Sequence, residues 1–221
     1  GQLLSHMGTR RPPFHVAAVQ GFGRLEIDVK AWGIDMITMS SHKINGPKGV
    51  GALYVRRGVR IMPIIFGGGQ ESLMRSGTEN VPGICGFGLS SKITYDKMRK
   101  NSIEVEKLKA LFMEKLKNSI FQCKIISPAH SSPYILNVSF TGVKAEVLLH
   151  HLEEKNIFVS TGSACSSKKS LHSHVLKAMG LDTYDIEGAV RFSFSSQNTK
   201  DDIIDTVEAL SNILPQIRRK I

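Results

Sequence analysis

Two short runs of this 221-residue sequence carry side chains that could do chemistry. The first reads Ser40-Ser41-His42-Lys43-Ile44-Asn45-Gly46-Pro47-Lys48-Gly49, where a lysine follows two hydroxyls and an imidazole and precedes a glycine-proline turn. An amine attacks carbonyls, and hydroxyl and imidazole groups beside it are donors suited to a phosphate. A pyridoxal phosphate site requires that combination: the amine bonds the aldehyde and the donors hold the phosphate. A plain reading is also open, since most lysines are solvated and a Gly-Pro-Lys-Gly turn needs no ligand. The second run, residues 160–170, surrounds Cys165 with Ser, Thr, Gly and Ala, and Lys168 and Lys169 follow closely. A structural cysteine sits among apolar neighbours, as Cys85 and Cys123 are expected to do. Cys165 has no such neighbours, and the two cations favour its thiolate, the nucleophilic form. A loop position would let one sulfur visit both a bound substrate and an outside acceptor.

The surrounding pattern supplies the elements that must hold these groups. Residues 14–19, 35–40 and 49–57 read as strands, and 35–40 delivers Lys43 to the end of a sheet. Residues 28–33 read as a short helix ending at a glycine. Gly67-Gly68-Gly69-Gln70 opens a loop through Arg75-Ser76-Gly77-Thr78, where backbone N–H groups can approach an anion. From residue 81 to 118 the pattern is helical, with Leu108, Leu111, Phe112 and Leu116 on one face. A domain boundary is expected inside this helix near residue 95, giving domains 1–95 and 96–221. Strands follow at 122–126, 134–140, 157–160 and 189–195. A helix at 145–155 turns Val147, Leu148 and Leu152 inward. Thr199 with Asp201 and Asp202 caps a final helix running to about residue 220.

Composition narrows the class. Apolar residues make up 41% and charged residues 22%, as in ordinary globular proteins. No apolar run is long enough to span a bilayer, so no membrane association is expected. The formal charge of +10 is scattered, so no direct contact with nucleic acid is expected. Three cysteines without a CxxC pair suggest neither a disulfide framework nor zinc, and they fit a reducing, cytoplasmic setting. His150-His151 reads as a helix-surface doublet. His172 and His174 have the spacing of a metal pair, but no metal is expected.

Residues 40–56 resemble the cofactor-lysine segment of class V aminotransferase-like enzymes, and most of all that of the NifS/IscS-type cysteine desulfurases. Ser163-Ala164-Cys165-Ser166 is similar to the persulfide-forming cysteine loop of the same group, in its long form. The resemblance runs from about Phe14 to the C-terminus. It implies an α/β protein with part of a fold-type I large domain, residues 1–95, and a small C-terminal α/β domain, residues 96–221. By analogy Lys43 is the Schiff-base lysine, and Ser40 and His42, with Ser41 between them, hold the phosphate of pyridoxal 5'-phosphate. Gln20 would bond the phenolic oxygen of that cofactor. Thr78 would reach the phosphate in a neighbouring subunit, which implies a homodimer. Arg191 would pair with the substrate carboxylate. The implied reaction takes sulfur from L-cysteine, leaves L-alanine and makes a persulfide on Cys165. The sulfur then passes to an iron–sulfur scaffold or another sulfur-acceptor protein.

Two departures from the family pattern stand out. Where the family reads His-Val-Asp-Ala, with an aspartate for the pyridinium nitrogen, this chain has His15-Val16-Ala17-Ala18. Family members are also longer, and the segments for a phosphate loop, a ring-stacking histidine and an asparagine near the phenolic oxygen have no counterpart here. Weak or no turnover is therefore expected from this polypeptide alone. Two other readings stay open: a selenocysteine lyase or other class V enzyme, and a non-catalytic protein that binds a partner.

Overall fold

The computed structural model describes residues 1, 4, 6, 7, 11–161 and 173–218. The chain divides into two compact units, Gly1–Arg99 and Lys100–Ile221.

The first unit is built on a three-stranded sheet: β1 (His15–Ala17), β2 (Met36–Ser40) and β3 (Gly51–Val55), in that order. β1 and β2 run parallel and β2 and β3 antiparallel, so the sheet is mixed. Each strand is shorter than the apolar run that announces it. One face of the sheet packs Ile34, Ile37 and Ala18 with Phe14, Val16 and Met39. The other carries His15, Ala17 and Thr38, with Ala17 and Thr38 in register and His15 Nε2 2.5 Å from Thr38 Oγ1.

Asp35, at the head of β2, clasps all three strands. Its backbone N–H and that of Met36 bond the carbonyl of Phe14, and its own carbonyl accepts from Arg56 N at 2.7 Å. Its carboxylate, 1% exposed, accepts from Nη1 and Nη2 of Arg11 at 2.7 and 2.8 Å and from Phe14 N at 2.7 Å. Arg56 Nη2 adds an ion pair at 2.5 Å. The Arg11 guanidinium, helped by the Phe14 N–H and Arg56, holds the Asp35 carboxyl at about 2 against the opposing cost of burial.

Residues 28–33 form one turn and no helix. Asp28 Oδ1 caps it by accepting from Lys30 N and Ala31 N, and Gly33 ends it with φ at 62°. A single turn gains too few bonds to propagate.

A 39-residue helix, α1 (Val81–Ser119), begins in the first unit and ends in the second. Asn80 caps it, its Oδ1 accepting from Gly83 N at 3.1 Å. In the first unit Phe87 and Met98 are buried while Cys85 is exposed, which corrects the expectation of a buried Cys85.

The second unit is an antiparallel sheet ordered β4 (Cys123–Ile125), β5 (Ile135–Phe140), β7 (Ala189–Ser193) and β6 (Ser160–Thr161). Its strands alternate faces, as the pleat demands. Leu136, Val138, Phe140, Val190 and Phe192 all enter one core. Into that core α1 sends Leu108, Phe112 and Leu116, with the Phe112 and Phe192 rings 4.9 Å apart. Helix α2 (Ala145–Glu153) adds Leu148 and Leu152, both fully buried. Val147 is 41% exposed, contrary to its expected inward position, because Ala145, Leu148 and Leu152 define the buried stripe. Two short helices, α3 (His174–Ala178) and α4 (Thr183–Glu187), have no counterpart in the sequence pattern. Helix α5 (Lys200–Ile217) starts with a capping box: Thr199 Oγ1 accepts from Asp202 N, and Asp202 Oδ2 accepts from Thr199 N. Its buried stripe runs Ile203, Val207, Leu210, Leu214. Among the described residues no helix is long and apolar enough to cross a membrane.

Candidate active site

Lys43 stands on a 3-10 turn, Ser41–Ile44, that leaves the end of β2. In a 3-10 turn residues three apart eclipse, and here Ser41 and Ile44 are the buried pair. That leaves His42 and Lys43 exposed on the opposite side. The turn is closed by Asn45 in the left-handed region at φ 62° and by Gly46 N donating to Ser41 O at 3.0 Å. Lys43 and His42 make no ion pair among the described residues.

The turn is seated by close approach to α1. A Cβ on Gly46 would lie 2.2 Å from Ser41 Oγ and 2.5 Å from Ser90 Oγ, and a Cβ on Gly86 would lie 2.6 Å from Pro47 Cγ. These two positions explain glycine at both, one in the turn and one inside a helix where it is otherwise unfavourable. Ser41 Oγ is buried beside Ser90 without a hydrogen-bond partner among the described residues, and Ser41 is fully enclosed. Of the three candidate phosphate donors, Ser41 therefore lies beneath the turn, while His42 is exposed and Ser40 partly so.

The other candidates in the first unit are also accessible. Gln20 is exposed just beyond β1. Thr78 is exposed in a loop tethered by Ser76 N bonding Ile65 O at 3.2 Å and Gly77 N bonding Gln70 Oε1 at 3.0 Å. In that loop Glu71, Ser72 and Leu73 all have positive φ, a strained left-handed turn. Ala17 is exposed on the sheet face that carries His15 and Thr38, so this strand end offers a methyl where a carboxylate would serve a ring nitrogen. The turn thus fits an aldehyde and phosphate cofactor at its amine and donors, while β1 lacks a partner for its ring.

In the second unit Arg191 lies in β7, half-buried, with Nε buried and without a hydrogen-bond partner among the described residues. Cys165, Lys168, Lys169 and His172 lie outside the described residues, between β6 and α3. Burial pushes the Cys123 thiol up, and its Sγ lies 3.5 Å from Ile120 O. His150 and His151 stand beside Glu153 and Glu154 on α2. Among the described residues no cluster has the makings of a metal site. A cleft of about 1110 Å³ in the second unit is lined by Glu154, Phe158, Phe192, Asp202 and Asp205, and neither Arg191 nor any residue of the lysine turn contributes to it.

Sequence reasoning missed the Asp35 clasp, the Lys124–Asp185 ion pair that ties α4 to β4, and Asn137, the cross-strand partner of Arg191. The alternation of residues 134–140 was the available signal for Asn137: it puts a polar side chain on the same face as Arg191.

Comparison with known proteins shows the family. The class-V aminotransferase family model matches residues 6–205, and the chain belongs to that family. Among its relatives, cysteine desulfurase IscS of Clostridium botulinum is 40% identical over 208 residues, covering 93% of this chain and 52% of the relative. Cysteine desulfurase IscS 1 of Archaeoglobus fulgidus is 38% identical, covering 97% and 56%. A solved NifS-like protein superimposes with a TM-score of 0.84 at 35% identity, covering 95% of this chain and 54% of that one. The chain spans about half the length of the curated relatives it matches.

Proposed function

We propose that this chain is the lysine- and cysteine-bearing half of a pyridoxal phosphate-dependent cysteine desulfurase. The observation that carries this reading is the exposed Lys43 amine on a turn pinned from below by Ser41, Ile44 and Gly46, in a chain similar to IscS proteins. Ser40 and His42 would hold the cofactor phosphate, and Gln20 its phenolic oxygen. Thr78 would serve the phosphate of a second subunit, in a homodimer. Bound there, the cofactor supplies an aldehyde for the substrate amino group and a ring that accepts electrons from the substrate carbons.

The chain's own residues do the rest. Arg191 holds the carboxylate of L-cysteine through its guanidinium fork. Lys43 removes the proton from the substrate α-carbon and later returns one. The Cys165 thiolate attacks the substrate sulfur: an S–S bond forms, the C–S bond breaks, and its electron pair stays with the carbon skeleton. Protonation of that carbon yields L-alanine, and Cys165 is left as a persulfide for a sulfur-acceptor protein. A reducing, cytoplasmic setting suits a free thiol nucleophile.

Ala17 sets the expected pace. Without a carboxylate the ring nitrogen holds its proton less well, so turnover is slow. The same residue favours a second reading, a partner-binding protein without turnover, which would take up no cofactor. The test is L-alanine formation from L-cysteine with added pyridoxal phosphate and a thiol. Alanine is expected from the parent and absent from Lys43→Ala and Cys165→Ser. Equal alanine from the parent and Cys165→Ser would refute the role of the thiol.

A further inference from the structure

The second sheet has one apolar face and one polar face, and the polar face is unsatisfied. Among the described residues, three buried side-chain atoms there have no hydrogen-bond partner: Asn137 Oδ1, Ser139 Oγ and Arg191 Nε. Native proteins pair nearly all such atoms, and unpaired ones call for an explanation. Asn137 and Arg191 are directly opposed in the antiparallel pair of β5 and β7, and Ser160 of β6 is the partner of Arg191 on its other side. One member of the central pair lacks an acceptor and the other lacks a donor. Side chains opposed in this way start about 5 Å apart at Cβ, within reach of an amide and a guanidinium.

An arginine that grips a carboxylate end-on uses its two Nη groups and leaves Nε–H to be met by something else. An acceptor on Nε–H fixes the guanidinium plane and lowers the ordering cost of binding. We propose that Asn137 is a positioning residue for the carboxylate held by Arg191, its Oδ1 accepting from Arg191 Nε–H in the liganded state. Both unmet groups are then satisfied together. The proposal rests on the reading of Arg191 as the carboxylate-binding residue. It adds a residue that touches neither substrate nor cofactor and sets the angle of the one that does.

The experiment follows arginine Nε–H resonances of the ¹⁵N-labelled chain while L-alanine is added as the probe carboxylate. Arg191 is assigned by the signal missing from Arg191→Lys. In the parent the Arg191 Nε–H signal is expected to move downfield, and its exchange with water to slow about tenfold. Asn137→Ala is expected to abolish the slowing and to raise the Kd for L-alanine about tenfold. Asn137→Asp, which keeps an acceptor, restores the slowing. If Asn137→Ala loses its native amide spectrum, Asn137→Leu, which keeps the volume, replaces it in the same comparison. Slowing that persists undiminished when the amide is removed would overturn the role of Asn137 and leave that of Arg191 intact. No response of Arg191 to L-alanine in the parent would overturn both.

Discussion

Replacing Asp35 by asparagine tests how the strands that carry Lys43 are held. The carboxylate is buried, meets Arg11 through two bonds and Phe14 N through a third, and is further paired with Arg56. Its pKa falls from 3.8 to about 2. That change is nearly two powers of ten in proton affinity, or about 2.4 kcal/mol at ~1.36 kcal/mol for each power. Arg56 is half-exposed, so solvent screening reduces the figure to about 1–2 kcal/mol. Because the folded-state pKa is depressed, this stabilisation is fully present above pH 3.8 and is lost as pH falls through about 2. Asp35→Asn is therefore expected to lower the stability of the first unit by about 1–2 kcal/mol at pH 7, and by about half as much at pH 3. The sole tryptophan, Trp32, lies in this unit, so its fluorescence during urea unfolding reports the right transition. A deficit that is the same at pH 7 and pH 2.5, or no deficit at pH 7, would refute the electrostatic account of the clasp.

Four further outcomes are expected. Leu148→Ala empties a fully buried site and is expected to cost about 3 kcal/mol. Val147→Ala, at an exposed neighbour, is expected to cost under about 1 kcal/mol, and denaturant midpoints compare the two. Thr199→Ala removes the acceptor for Asp202 N at the start of α5 and is expected to cost about 1 kcal/mol, read the same way. Ala17→Asp returns a carboxylate to the end of β1 and is expected to raise cofactor affinity and alanine formation about tenfold. Unchanged values in a cofactor titration would show that this position does not face the ring.

What the sequence made legible was local. The run at residues 35–40 and the turn after it could be read because an apolar strand ending in Ser-Ser-His-Lys-Ile-Asn-Gly-Pro signals its own stop. Capping at Thr199 could be read because the box is complete within four residues. What stayed hidden depends on distant partners. The periodicity of α1 between residues 81 and 91 is weak, and its buried side is chosen by the docking of Gly46 and Pro47, so the exposure of Cys85 could not be foreseen. Asp35 looked like the polar start of a strand, and only Arg11 and Arg56, brought in by folding, make it a clasp. Strand β6 has two residues and exists only by pairing with β7. Of the candidate site, the lysine turn and Arg191 are described, while Cys165 lies outside the described residues.

The central claim is that the Lys43 amine is the group that bonds the cofactor aldehyde. Reduction with borohydride after incubation with pyridoxal phosphate, followed by peptide mass analysis, tests it directly. The account predicts a phosphopyridoxyl label on Lys43, abolished in Lys43→Ala without new labelling elsewhere. A label on Lys48 or another exposed lysine with Lys43 unmodified, or no label on the parent chain, would contradict it.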